Sequence, residues 1–425
     1  MKGRLHLGTA VIATLLVPTT LTSQVFTDLR MARFNAMPTV ISTPQGPVIY
    51  GMAGAGESSP ARWTRATGTV PLLLPPLEPL PFRLEDASAD GSVVTGRGSG
   101  VGDNSNRPSA YRWSEKTGYQ ELTTNIRDAI FSERNRVSAD GSVVIGFGAV
   151  SAYRWSAETG TVNVGALMND IDVIGPDNPL FFPKGLSANG SVVVGRITQA
   201  WHLAGEAARW TAEEGLVGLG KFYEWEPEQY STALAVSANG QVIAGNATTN
   251  PNTYPPSDDG LHDAFRWTEE TGMVPIGSAG GPSSFVTAMS GDGALIAGGI
   301  PTGRPFVDEA FVWTPGAGMQ RLVDVLTNQY GVGDQLTGLN LGPVTALSRD
   351  GRYLVGFATA ADRQQIPYLV DFGMTPVPEP ETYGAVTAAG LIALMVAKRR
   401  RAVAAKLDCP KPAERLGEAS LRFSP

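Results

Sequence analysis

Four side chains stand outside any repeating pattern and could carry recognition chemistry: Trp201, His202, Tyr223 and Trp225. Aromatic rings on loops stack on the apolar faces of sugar rings, while their polar tips reach hydroxyl groups. This group is therefore the candidate ligand-binding set, with packing beneath a long loop as the alternative. Catalytic and metal-binding types are scarcer. Beyond residue 26 the histidines are His202 and His262, and neither an HExxH motif nor a cysteine pair occurs; no metal, cofactor or catalytic group is assigned. Gly215–Lys221, GLVGLGK, has the glycine and lysine spacing of a phosphate-binding loop, yet Phe222 stands where Ser or Thr would hold magnesium. Arginines precede tryptophan at Arg62, Arg112, Arg154, Arg209 and Arg266. They could ring an anionic ligand, but the expected arrangement is stacking on an aromatic ring or pairing with a neighbouring unit's carboxylate.

What must position these residues is a repeat. VSADGSVVIG, Val137–Gly146, recurs as ASADGSVVTG, LSANGSVVVG, VSANGQVIAG, MSGDGALIAG and LSRDGRYLVG, anchored on Ser88, Ser138, Ser187, Ser237, Ser290 and Ser348. The anchors are 50, 49, 50, 53 and 58 residues apart, and an eroded seventh copy, STPQGPVIYG, ends at Gly51. A second module alternates with the first, as in DAFRWTEETGMVPI, placing tryptophans at Trp63, Trp113, Trp155, Trp210, Trp267 and Trp313. Each module reads as a hairpin: a β-rich run, a turn with glycine at positive φ, and a returning run. Four strands per period of this length fit a propeller blade.

Seven first hairpins predict an all-β propeller of seven four-stranded blades, with a six-bladed ring or an open solenoid as alternatives. The last unit supplies only three strands, ending with Ile366–Phe372, so the orphan stretch Gln24–Arg30 is expected to complete it and close the ring. Both tight turns of each blade then emerge at one end. The long connections, 97–109, 167–183, 222–231, 246–263 and 324–343, emerge at the other, where binding is expected. The tryptophans are expected in the core. Single acidic or amide residues in the turns, Asp90, Asp140, Asn189, Asn239, Asp292 and Asp350, read as turn formers and not as calcium ligands.

Composition sets the surroundings. Residues 1–26 carry charge +2 and residues 398–425 carry +5, which leaves −14 on 27–397 out of a total of −7. An acidic body argues against nucleic acid as a partner. The one cysteine, Cys409, lies outside the repeats, so no disulfide staples them. Lys2 and Arg4, the apolar run Leu5–Val17 and small residues at Thr22 and Ser23 form a signal-peptide pattern. Near the other end stand Pro378, Glu379 and Pro380, an apolar run Tyr383–Ala397, and Lys398, Arg399, Arg400 and Arg401. Fifteen residues of helix span about 22 Å, a marginal membrane crossing with the basic cluster kept cytoplasmic.

Two resemblances follow from these residues. The unit His262–Gly299 resembles the HAF repeat of bacterial extracellular proteins, and the similarity runs over residues 35–372. The stretch from Pro378 to Arg401 resembles a PEP-CTERM sorting signal, although residues 402–425 follow the cluster where that family normally stops. The resemblance implies an exosortase-type membrane transpeptidase as partner and membrane association during sorting. The expected organisation is a signal peptide at 1–26, the propeller at 27–373, a Pro-rich linker at 374–382, a transmembrane sorting helix with its basic cluster at 383–401, and a disordered tail at 402–425. The expected role is an exported, non-enzymatic structural or binding module at the cell surface or in the extracellular matrix, with extracellular polysaccharide or surface proteins as further partners. A glycan-binding or glycan-hydrolysing propeller is the alternative.

Overall fold

A computed structural model describes residues 25–54, 59–72, 74, 82–99, 108–122, 134–147, 152–164, 180–198, 205–222, 230–248, 262–303 and 307–373. These residues form seven antiparallel four-stranded sheets, each built from strands consecutive in sequence except at the seam. Blade 5 is representative, with strands Ser231–Val236, Ile243–Thr248, His262–Thr268 and Gly272–Pro275. The first strands of all seven blades converge on one central cavity, which makes them the innermost strands of a closed ring. The molecule is an all-β seven-bladed propeller.

The seam is made as the strand count requires. Blade 7 contributes Leu339–Leu347, Tyr353–Ala360 and Gln365–Asp371, and its outermost strand is the N-terminal Phe26–Asp28, with Phe26 opposite Val370 and Asp28 opposite Tyr368. Phe26 is buried and its ring lies 5.9 Å from that of Tyr368. The buried Asp371 of blade 7 accepts from Arg352 at 2.9 Å and pairs with Arg65 of blade 1 at 3.4 Å, which adds a charged clasp across the seam.

Each Ser-x-Asp/Asn-Gly turn is a closed hydrogen-bond circuit. In blade 3 the buried Ser138 hydroxyl donates to Asp140 Oδ1 at 2.6 Å and accepts the Val143 N–H at 2.9 Å, while Asp140 Oδ1 accepts the Ser142 N–H at 2.9 Å. The same bonds recur at Ser88, Ser187, Ser237, Ser290 and Ser348, so the acidic and amide residues are turn formers as expected. Successive turns are also tied to one another. The N–H of Ala89 donates to Ala139 O, Ala139 to Ala188 O, Ala188 to Ala238 O, Ala238 to Gly291 O and Gly291 to Arg349 O, at 2.6–3.2 Å. Blade 1 has no such turn: its strands run on to a tight loop at Pro44 and Gln45, and proline has no N–H to donate.

The glycine that ends each copy of the first module answers to space and not to φ. In six blades the innermost strand bulges, between Phe34/Ala36 and Ala36/Thr39, Leu84/Asp86, Pro183/Gly185, Ala233/Ala235, Val286/Ala288 and Val344/Ala346. The bulge pushes a carbonyl toward the facing glycine: a Cβ on Gly245 would stand 2.0 Å from Thr232 O and 2.8 Å from the Phe265 ring. The missing side chain also makes room for the aromatic ring opposite, as in Gly146 with Tyr153, Gly245 with Phe265 and Gly298 with Phe311.

Seven apolar clusters fill the gaps between adjacent blades, such as Val194, Ala207, Ile243 and Phe265 between blades 4 and 5. The repeated tryptophans correct one expectation. All six are half-buried and pack against the margin of these clusters, because the fully buried aromatic position of the third strand belongs to the residue two before, such as Phe265 before Trp267. The connection between blades 6 and 7 also departs from pure β structure. It forms a short helix, α1 (Leu322–Asn328), which buries Leu322, Val325 and Leu326 against the 6/7 cluster. These residues are spaced i, i+3, i+4, the period of a helix face.

Candidate functional site

Three of the arginines that precede tryptophan, Arg112, Arg154 and Arg209, are used within the scaffold. Arg112 of blade 2 donates its Nε–H to Gly141 O of the next blade's turn at 2.9 Å, and its guanidinium lies 5.6 Å from the Trp155 ring. Arg154 reaches Gly190 O in blade 4 at 3.1 Å, and Arg209 lies 5.6 Å from Trp267 of blade 5. Burial holds the Arg112 and Arg154 guanidiniums below their ordinary pKa, partly offset by Asp140 and Glu158 respectively. Aromatic stacking is as expected; the polar partner of Arg112 and Arg154 is the next turn's carbonyl and not a neighbouring blade's carboxylate, while Arg209 pairs with Glu214 of its own blade at 2.8 Å. Such contacts tie blade to blade. GLVGLGK supplies the outermost strand Gly215–Gly218 of blade 4, a repeat element without a phosphate cradle.

Trp201, His202, Tyr223 and Trp225 lie outside the described residues, as do Pro378, Glu379, Pro380, Lys398, Arg399, Arg400 and Arg401. His262 is described: it opens the third strand of blade 5, half-buried, with its ring 5.4 Å from Tyr230. Among the described residues no cluster of His, Cys, Asp or Glu could hold a metal ion, and no helix is long and apolar enough to cross a membrane.

The site that the tertiary structure does build is the central channel. It has two chambers. The one at the long-connection end has a volume of about 540 Å³ and is lined by residues on or just before the innermost strands, among them Asn35, Arg134, Pro183, Val286 and Pro343. The one toward the tight-turn end has a volume of about 150 Å³. Arg136, Lys184, Leu234, Thr287 and Thr345 line both and form a waist between them. Four of the five are the extra residues of strand bulges, so the distortion that demands the glycine opposite also sets the lining of the channel. At the tight-turn end Arg349 of blade 7 reaches Val137 O of blade 3 at 3.3 Å, crossing the floor of the channel.

The upper chamber is electrically lopsided. Arg134, Arg136 and Lys184 come from the adjacent blades 3 and 4, and no carboxylate lines it among the described residues. Glu85, on the blade 2 bulge, is buried and already committed: it pairs with Arg97 at 2.5 Å and accepts the Asn135 backbone and side-chain N–H groups at 2.9 Å. Asn135 Oδ1 in turn accepts the hydroxyl of the fully buried Tyr153 at 2.5 Å. Burial raises the Glu85 carboxyl above its ordinary pKa, against the opposing pull of Arg97 and the Asn135 N–H. Arg134 is held below its usual value first by desolvation and then by Arg136, with further repulsion from Arg83 and Arg97 and partial relief from Glu85. A guanidinium keeps its charge at neutral pH through such a shift. The cluster therefore places basic side chains, with no carboxylate among the described lining residues, in a concavity of an acidic protein.

Sequence reading missed this site. Arg134 and Arg136 precede the Ser138 anchor by four and two residues, where the other copies carry mostly small or apolar residues two before the anchor: Gly185, Ala235, Ala288 and Ala346. Aligning the first strands, and not only the turns, would have marked Arg136 as the odd residue.

No family model and no curated protein matches the chain. Among solved structures it is similar to the β-propeller domain of the Trilobed protease from Pyrococcus furiosus, at 8% identity and a TM-score of 0.46, covering 80% of this chain and 96% of that one. It is also similar to Kuenenia stuttgartiensis hydrazine synthase, at 11% identity and a TM-score of 0.44, covering 80% and 96%. Likeness at these identities concerns fold alone, and the seven sheets establish the architecture directly.

Proposed function

We propose that the chain is an exported binding propeller without enzymatic activity, delivered by the N-terminal signal and sorted at a PEP-CTERM-type motif by an exosortase-type transpeptidase to the cell surface or extracellular matrix. One observation carries this reading. The ring is complete between Phe26 and Phe372, with the first sheet residue just past the apolar segment and the last just before the Pro-rich linker. Both flanking segments could be cut away without removing a strand from any sheet, which is what transient tethering followed by release requires.

The channel favours binding over hydrolysis. Glycoside hydrolysis requires two carboxyl groups about 5–9 Å apart. Among the described residues the channel is lined by one, Asp86, which already accepts the Ala87 and Val137 N–H groups.

Expression of the full chain in a host with an exosortase tests the delivery. The released form is expected to start near residue 24 and to end near Pro380, as read by terminal sequencing. Glu379→Ala is expected to leave uncut protein in the membrane fraction. Release of that variant at the normal rate, or recovery of the intact chain from cytosol, would refute the assignment.

A further inference from the structure

We infer that the wide chamber of the channel is a binding site for an acidic saccharide, with Arg134 and Arg136 gripping its carboxylate or phosphate. This deepens the reading of the propeller as a binding module and rests on it. Arg134 and Arg136 line a cavity of about 540 Å³, with Lys184 of the next blade beside them, and the buried Glu85 close by is already paired with Arg97. Among the described residues, no carboxylate stands within ion-pairing distance of Arg134 or Arg136. The Arg136 Nε–H is spent on Lys184 O at 3.2 Å, which fixes the side chain and leaves the outer guanidinium nitrogens for a ligand. A planar guanidinium fork suits carboxylate and phosphate oxygens, and its weak hydration lowers the cost of handing water over to them.

The opposite wall decides what the rest of the ligand is. Blades 6 and 7 present Val286, Pro343 and Phe357 together with the Thr287 and Thr345 side chains. The Thr287 and Thr345 hydroxyls already donate to Ala297 O and Val355 O, so this wall offers chiefly apolar surface, which fits the face of a sugar ring. Arg349 closes the far end, so the ligand enters from the long-connection face and an end or side branch of a chain fits better than a threaded polymer.

The test is calorimetric titration of the full-length protein with digalacturonate, glucose 6-phosphate, neutral galactobiose and a short Asp/Glu peptide. Digalacturonate, glucose 6-phosphate or both are expected to bind, and which does so separates a carboxylate from a phosphate source. Galactobiose and the peptide are expected to bind at least about tenfold more weakly, since each lacks either the charge or the ring. Arg134→Gln is expected to weaken binding by about tenfold or more, and Arg30→Gln, an exposed arginine on the rim of the seam, to leave it unchanged. If Arg134→Gln proves unfolded by circular dichroism, titration of the wild type in rising salt replaces it, with a steep loss of affinity expected. No binding of either acidic sugar, equal binding of galactobiose or of the peptide, or salt-insensitive affinity would overturn the inference. Its failure alongside normal export and cleavage would leave the delivery reading standing, so the two are separable.

Discussion

The repeated turn offers a test in which the protein supplies its own control. Ser138→Ala removes the hydroxyl that accepts the Val143 N–H at 2.9 Å and donates to Asp140 at 2.6 Å. Both Ser138 and Val143 are buried, so that N–H is left without an acceptor or water. A buried donor left unmade costs about 1–3 kcal/mol. A value of about 2 kcal/mol corresponds to roughly a 30-fold shift in the local opening equilibrium. Asp140→Asn, by contrast, keeps the acceptor oxygen, and blades 4 and 5 already use Asn189 and Asn239 with the same bonds at 2.7–3.1 Å. Its expected cost is within about 0.5 kcal/mol. Hydrogen exchange at the Val143 amide, with urea unfolding of the same variants, reads both. The acid limb adds a second signature. Burial opposes ionisation of Asp140, but hydrogen bonds from Ser138 and Ser142 outweigh it and hold the carboxyl below its ordinary 3.8. A folded pKa below the unfolded one gives stability that is complete above the ordinary value and drains as pH falls through the lowered one. Asp140→Asn should flatten that part of the profile. If Asp140→Asn proves as damaging as Ser138→Ala at neutral pH, the turn needs charge and not an acceptor, and the hydrogen-bond account fails.

Two glycines separate space from backbone angle. Gly245→Ala drives a methyl into Thr232 O and should cost about 3 kcal/mol, whereas Gly272→Ala, at φ +64 with open space around it, should cost about 1 kcal/mol; urea midpoints rank them. Phe26→Ala empties a buried ring from the closing strand and should cost about 3–5 kcal/mol, with protease cutting appearing first near the seam between blades 7 and 1. Unchanged resistance would mean that the strand does not hold the ring shut. Arg112→Leu removes both the bond to Gly141 O and the stack on Trp155, and should cost about 1–2 kcal/mol with a shift in tryptophan emission.

The sequence by itself determined the architecture. A fifty-residue period with two turn signatures dictates four strands per unit, because each Ser-x-Asp/Asn-Gly circuit is local and closes within six residues of chain. Strand counting at the ends likewise dictated that Phe26–Asp28 would complete the last blade, since an unpaired edge is costly. The tertiary structure alone decided the use of the side chains. Whether Arg112 meets a ligand or the neighbouring Trp155 depends on how blades stack, which no local pattern encodes. The channel mouth is the sharper case: Arg134, Lys184 and Thr345 are 50 and 161 residues apart along the chain and meet because closing a ring brings the starts of all innermost strands to one axis. Charge counted along the chain averages that cluster into an acidic body. Only the circular arrangement gathers it into one basic cavity.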